Sequence, residues 1–294
     1  MKLNSGWKAD CMLLLVAVIW GGGFSASKFA LSALEPVGVL FCRFSLAAAA
    51  IACCFFSTLR KATRQEALFG CLLGLLMFFG ELILLTALQY TTVAKQSFLA
   101  SAYVIFTPAV SWLLFKNRPQ RKDAVAAGVV LLGVGLLSLE ENFSVQSGDF
   151  FTLGYTAFFA LQMVLVGHFA KDLSAVCLTF FQLLTAGLLS FCTVLLTAVP
   201  IRAENPAGVS GILYLAFINT ALALTLQNRA LQHAKASHAA LILSLESVFG
   251  LLLSLLFFDA ALDAKMLAGC AFIFCGLLIA KLELPCTAHG NAHH

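Results

Sequence analysis

Ala87-Leu88-Gln89 recurs 143 positions later as Ala230-Leu231-Gln232, and the same offset carries Ser101 onto Ser244, Phe106 onto Phe249, Phe115 onto Phe258 and Gly133 onto Gly276. The register runs without a gap from the third to the fifth apolar segment of each half of the chain. Upstream, an offset of 139 sets Ala47 against Ala186, and the four-residue difference is absorbed in the longer connection from Pro200 to Pro206. Self-similarity sustained at a fixed offset marks an internal duplication. The repeats are expected at 1–143 and 144–284, followed by a polar tail at 285–294.

The solvent of each repeat follows from composition. Of 294 residues 61% are hydrophobic and 11% charged, with a mean hydropathy of +0.95; soluble proteins carry about 25% charged residues. That is more apolar side chain than one water-facing core hides, so lipid must solvate most of it. Apolar runs of about 20 residues fall at 10–33, 37–58, 67–89, 93–115, 123–139, 149–170, 174–199, 208–230, 236–257 and 265–282. Five of the six prolines lie between these runs or in the tail, and only Pro108 lies inside one. A β-barrel would instead show alternating segments of about ten residues. The expected fold is therefore an all-α integral membrane protein of about ten transmembrane helices. Five crossings per half is an odd number, so the halves enter the membrane from opposite sides. Inverted repeats of this kind build many secondary transporters, with the substrate at the repeat interface near the midplane.

The first run follows Lys2 and Lys8 and continues past Trp20 to Leu34. It is longer than a signal-peptide core and reads as a retained helix. With the N-terminus in the cytoplasm, thirteen Lys and Arg, from Lys2 and Lys8 to Lys235 and Lys281, fall on the inner side, against Lys95, Arg202 and Lys265 outside. That bias predicts a multi-pass inner (plasma) membrane protein with both termini cytoplasmic. The outer loops collect acids instead: Glu35, Glu140, Glu141, Asp149, Glu204, Asp259 and Asp263.

Several chemistries are disfavoured. Nine of the ten cysteines lie in or beside apolar runs, without CxxC or zinc-like Cys/His spacing, and read as small apolar helix residues. No phosphate-binding glycine loop precedes a Lys-Ser/Thr pair, and no Ser/His/Asp constellation is evident. No cofactor, metal, nucleic-acid partner or catalytic residue is expected; the partners are the lipid bilayer and a small-molecule substrate. The sequon Asn142-Phe143-Ser144 sits on a short loop, and Gly70-Cys71-Leu72-Leu73-Gly74 reads as ordinary helix packing.

An ionisable residue inside a span costs about 2.5–3.5 kcal/mol on insertion scales, so Glu81 in the third run and Glu246 in the ninth each need a reason. Either they face a watery cavity, exchanging a proton or binding a substrate amine, or a hydrogen-bond partner holds them and ties helices together. In the ninth run Ala239, Leu243, Glu246, Gly250 and Ser254 form one helical stripe. Their repeat partners Gln96, Ala100, Tyr103, Thr107 and Ser111 form another. The two stripes read as opposite walls of one cavity, or alternatively as tightly packed small-residue faces. Asn219, Ala223 and Gln227 make a third face at i, i+4, i+8. Trp20, beside Gly21-Gly22-Gly23, either lines the path or packs, and the glycines allow a bend or a close helix approach. Lys28 and Arg43 lie toward the outer side and read mainly as snorkelling cations. Gln162 and Gln182 are weaker cavity candidates.

These segments resemble a known family. Ile19-Trp20-Gly21-Gly22-Gly23-Phe24 with Lys28, then Glu35-Pro36 and Arg43-Phe44 before an alanine-rich run, resemble the start of EamA-type domains of the drug/metabolite transporter superfamily. Ala87-Leu88-Gln89-Tyr90-Thr91 to Gly133-Val134-Gly135-Leu136-Leu137 is similar to the end of that domain, and Ala230 to Leu278 repeats it. There are departures. Lys116-Asn117-Arg118 replaces the acidic residue that usually follows the fourth helix, Asp259 holds that place in the second half, and Ser247 replaces a common ninth-helix proline.

The resemblance implies a secondary transporter, proton-coupled or passive, often exporting amino acids or related metabolites. Alternatives are an uptake carrier of the same superfamily, an intramembrane enzyme on lipid substrates, or a non-transporting scaffold. The candidate substrate-binding residues are Trp20, Glu81, Gln96, Tyr103, Asn219, Gln227 and Glu246, with Glu81 and Glu246 as proton-coupling candidates.

Overall fold

The computed structural model describes residues 5–117, 121–138, 146–202, 205–258 and 264–281. The sequon, Asp259, Asp263 and the tail at 285–294 lie outside the described residues. The first half comprises α1 (Ser5–Leu31), α2 (Pro36–Leu59), α3 (Arg64–Ala87) with a 3-10 turn at Leu88–Tyr90, then α4 (Val93–Ala100), α5 (Tyr103–Phe115) and α6 (Arg121–Ser138). The second comprises α7 (Ser147–Phe169), α8 (Ala175–Thr197), α9 (Pro206–Leu213), a π-helix at Tyr214–Leu222, then α10 (Ala223–Leu231), α11 (Ala236–Leu243), α12 (Glu246–Phe258) and α13 (Ala264–Lys281).

Local sequence sets the helix starts. Pro36 and Pro206 stand in the first turns of α2 and α9, where a missing N–H costs nothing. Thr63 and Glu66 close a reciprocal capping box on α3. The second oxygen of Glu66 accepts from the Ser174 N–H at 2.7 Å, which ties the start of α8 to the start of α3.

Among the described residues, eight stretches are long and apolar enough to cross a membrane. The fifth and tenth runs are covered by α6 and α13, 18 residues each, or about 27 Å at 1.5 Å per residue. Their strongly apolar parts are shorter, at Ala124–Gly133 and Leu267–Gly276. These two repeat-equivalent helices pack on one another. A Cβ at Gly133 would stand 2.6 Å from the Gly269 carbonyl oxygen, and one at Gly276 would stand 2.9 Å from that of Ala126. Both glycines are there for close approach.

Two cores run through the bundle. One gathers α1 with α4, α5, α7, α11 and α12 around Leu13, Phe98, Tyr103, Met163 and Leu243. The other joins α2, α3 and α8 with the eighth run around Leu40, Phe44, Ala47, Leu183, Ala186 and Leu215. The repeat partners Ala47 and Ala186 both sit fully buried there. Leu113, Leu196 and Leu256 instead point outward, as lipid solvation allows.

The fourth and ninth runs were expected as single helices, and each is broken at the equivalent place. The interruptions fall at Ser101-Ala102 and at Ser244-Leu245, and α4/α11 and α5/α12 share the 143-residue offset at both ends. Pro108 is not the common cause, because the ninth run has no proline. Serine hydroxyls bond back to backbone at both breaks: Ser101 to the Ser97 carbonyl at 3.1 Å, Ser244 to that of Leu241 at 2.7 Å, and Ser247 to that of Ser244 at 2.6 Å. Such back-bonding competes with the helix ladder and bends it.

Candidate functional site

The glycine run in α1 serves close approach, since α1 continues unbroken from Ser5 to Leu31. A Cβ at Gly21 would lie 2.5 Å from that of Phe249 and 2.9 Å from the Gly250 nitrogen. Gly23 sits equally hard against the Asn219 amide. With α12 and the π-helix drawn against it, α1 places Trp20 beside both. The π-helix turns Asn219 and Thr220 inward together; π-turns recur at functional sites. Trp20 donates its indole N–H to the Asn219 carbonyl at 3.0 Å, and its ring meets Phe159 edge-on at 5.5 Å between centroids.

Arg43 is the hub that the sequence reading missed. It was expected to snorkel toward headgroups, yet it is 5% exposed. Its guanidinium donates to Glu81 Oε2 at 2.7 Å, to Thr220 Oγ1 at 2.5 Å and to Asn219 Oδ1 at 3.0 Å. A residue of α2 thus joins α3 to the π-helix of the other half. Of the two readings of Glu81, the structure supplies the tying partner while leaving the carboxyl on the cavity wall. Lys28, by contrast, is exposed.

The cavity between the halves is lined by Trp20, Arg43, Glu81, Gln96, Asn219 and Glu246, with Gln162 and the rings of Tyr155, Phe158 and Phe159. Gln96 also donates to the Leu84 carbonyl at 2.7 Å. The cavity has about 60 Å³ of room, enough for roughly five waters. Glu246 is 3% exposed, and among the described residues no cation reaches it within ion-pair distance.

Tyr103 does not line this cavity; it is fully buried below it. Its ring packs on Phe159 at 4.7 Å. Its hydroxyl comes beside the Glu246 carboxyl without closing a hydrogen bond of ordinary geometry. Tyr103 and Glu246 are repeat partners, each the first residue after its helix break, so the two equivalents meet at the interface of the halves. The two stripes meet at that pair, and beside it the contact is packing: a Cβ on Gly250 would be 3.0 Å from that of Ser97, which neighbours the stripe residue Gln96. The side chain of Ser254 lies outside the described residues.

Gln227 is also off the cavity lining; it is fully buried, and among the described residues neither end of its amide has a protein partner. The i, i+4, i+8 face assumed regular helix, and the π-helix shifts the phase between Asn219 and Gln227. Gln182 likewise points elsewhere, accepting from Asn228 at 3.3 Å.

A second, larger space of about 1100 Å³ opens at the end of the bundle that holds the start of α1. It is lined by Asp10, Lys116, Lys122, His168, Lys171, Lys235 and His238 among others. Four elements show the same order from this vestibule to the inner cavity. On α1 it runs from Asp10 through buried Leu13, Val16 and Ala17 to Trp20; on α7, from His168 through Met163 to Gln162 and Phe159. On the fourth run it goes from Ser111 through Tyr103 to Gln96, and on the ninth from His238 through Ala239 and Leu243 to Glu246. One buried tier separates the two spaces.

Comparison with known proteins agrees with this architecture. The EamA-like transporter family matches the chain twice, at residues 7–139 and 146–282. A protein of Archaeoglobus fulgidus described as an uncharacterized transporter is 31% identical over 276 residues, covering 94% of this chain and 86% of its own length. A crystal structure of another protein superposes with a TM-score of 0.75 at 16% identity, covering 93% of this chain and 96% of that one, which speaks to the fold alone.

Proposed function

The chain belongs to the EamA-like transporter family of the drug/metabolite transporter superfamily, and on that premise we propose that it is a proton-coupled secondary carrier exporting amino acids or related amine-bearing metabolites through the cavity at Glu246. It is a multi-pass membrane protein of transporter type. The proposal concerns its site, substrate and coupling.

The observation that carries the reading is the charge balance of the cavity. Arg43 and Glu81 neutralise one another at 2.7 Å, which leaves Glu246 as the lining acid without a cation among the described residues. An ionised carboxylate beside the rings of Trp20, Tyr155, Phe158 and Phe159 favours an ammonium group, through ion pairing and, where a ring face is reached, cation–π attraction. When Glu246 holds a proton instead, the cavity is neutral and that attraction is gone. Proton and amine then compete for one carboxyl, the minimal device for exchanging them across a membrane. Gln96 and Asn219 remain at hand for the polar remainder of an amino acid.

Passage requires movement, because the cavity holds only a few waters and a buried tier bars it from the vestibule. The breaks at Ser101-Ala102 and Ser244-Leu245 border that tier at Tyr103 and Glu246, and discontinuous helices at equivalent places in inverted repeats suit rocking of one half against the other. The charge bias of the loops supports placing the vestibule and both termini on the cytoplasmic side of the plasma membrane.

The test is flux in proteoliposomes loaded with amino acids and other amine-bearing metabolites, with and without an imposed pH gradient. Saturable, gradient-driven flux of an amine-bearing compound is expected. Saturable flux restricted to compounds without an amine would contradict the assignment of Glu246 as an amine site.

A further inference from the structure

Two ion pairs in this protein are related by the internal repeat. Lys95 Nζ lies 2.7 Å from Asp149 Oδ2, and His238 Nε2 lies 2.9 Å from Asp10 Oδ1. The 143-residue offset carries Lys95 onto His238, and the 139-residue offset carries Asp10 onto Asp149. Each basic residue is third in its helix, α4 or α11. Each pair therefore joins the first helix of one half to the broken helix of the other, at opposite ends of the bundle.

The two ends are not in the same state. Lys95 and Asp149 are sealed, with side chains 7% and 8% exposed. Thr91 adds a hydroxyl to Asp149 at 3.1 Å and the Gln146 N–H adds a bond at 2.9 Å. Beside them Gly148 sits so close to the 3-10 turn that a Cβ would stand 2.6 Å from the Ala87 carbonyl oxygen. His238 and Asp10 are 33% and 29% exposed and line the wide vestibule. The same contact is thus sealed at one mouth and part-exposed at the other.

We propose that Lys95–Asp149 and His238–Asp10 are the alternating latches of the two mouths, and that protonation of His238 favours closure of the amino-terminal mouth. The proposal rests on the alternating-access reading above. In a two-fold-related mechanism the opposite state seals His238 against Asp10 and hydrates Lys95 and Asp149. Lysine keeps its charge over the physiological range, whereas histidine is the side chain that changes charge within it. An imidazolium holds Asp10 as an ion pair, and a neutral imidazole holds it only by a hydrogen bond. The other charged or titratable groups facing this space are Lys116, Lys122, His168, Lys171, His233 and Lys235. All are cations or imidazoles, so Asp10 is the acid they share among the described lining residues. His168 stacks on Phe115 and His233 bonds the Arg229 carbonyl, so the substitution must be made at His238 itself.

The test is amide hydrogen exchange on the full chain in lipid nanodiscs without substrate, corrected for intrinsic rates, so that a wrong substrate assignment does not affect it. Lys95→Met is expected to raise exchange at 88–95 and 146–150 by about tenfold, within the usual range of coupling between sites, and to lower it at 8–14 and 234–240. His238→Lys, which holds Asp10 with a fixed charge, is expected to shift exchange at all four segments in the same direction as Lys95→Met. Wild type moved from about pH 8 to about pH 6 is expected to shift as His238→Lys does, and His238→Lys itself to shift no further. Lys95→Arg controls for folding and should match wild type. A change confined to the mutated mouth, or a pH response that survives in His238→Lys, would overturn the proposal.

Discussion

Replacing Arg43 by Met tests whether the buried pair with Glu81 organises the interface of the two halves. The substitution removes three donors at once, to Glu81, Thr220 and Asn219. The side chains of the pair are 7% and 15% exposed, so solvent screening is weak and Glu81 is left as an uncompensated charge. Breaking one partner of a buried pair costs about 3–5 kcal/mol, whereas replacing both with apolar groups of like volume is often near neutral. The single variants Arg43→Met and Glu81→Leu are thus each expected to lose about 3–5 kcal/mol. The double variant should recover most of that loss, a coupling above the ~0.5 kcal/mol that unconnected sites show. Reversible unfolding in mixed micelles, followed by tryptophan fluorescence, measures all four corners of the cycle. Additive losses would refute the reasoning, because they would mean the two charges do not depend on each other.

Trp20→Phe keeps the ring edge on Phe159 but removes the indole N–H bond to Asn219. A loss of about 0.5–1.5 kcal/mol in stability is expected, with a raised KM in the liposome assay if that bond also holds Asn219 toward substrate. Gly21→Ala drives a methyl into Phe249 and the backbone of Gly250; overpacking of this kind costs about 1–3 kcal/mol, read as a lowered unfolding midpoint. Gln227→Met exchanges a fully buried amide, without a protein partner among the described residues, for an apolar side chain of similar length. Stability is expected to hold or rise by about 1 kcal/mol with flux unchanged; a collapse of flux would return Gln227 to the pathway.

The duplication was legible because one offset governs several segments, and the structure repeats it in helix bounds: α6 and α13, like α4 and α11, begin and end 143 residues apart. Glu81 and Glu246 stood out because lipid makes any buried carboxyl costly. Arg43 did not, because counting from the outer end of its run suggested a headgroup within reach. Its partners lie on helices about 40 and 180 residues away, and single-chain periodicity cannot see across that distance. Gln227 was misplaced by the π-helix, which has no composition of its own in Tyr214–Leu222 and breaks the spacing on which a helical face is computed. The breaks after Ser101 and Ser244 had a local signal, serines spaced to bond back within apolar helices, whose weight becomes clear when both halves show the same interruption. Lys95 and His238 were equivalent by offset from the start, but nothing in the sequence told which acid each would meet.

The most direct test of the central claim is gradient-driven accumulation of an amine-bearing substrate by proteoliposomes carrying Glu246→Gln beside wild type. The neutral amide keeps the size and polarity of the side chain but cannot exchange a proton. The account predicts that the variant still swaps labelled for unlabelled substrate, with weakened affinity, while an imposed pH gradient no longer concentrates it. Accumulation by Glu246→Gln equal to wild type, at the same dependence on the gradient, would contradict the account and move the coupling away from this cavity.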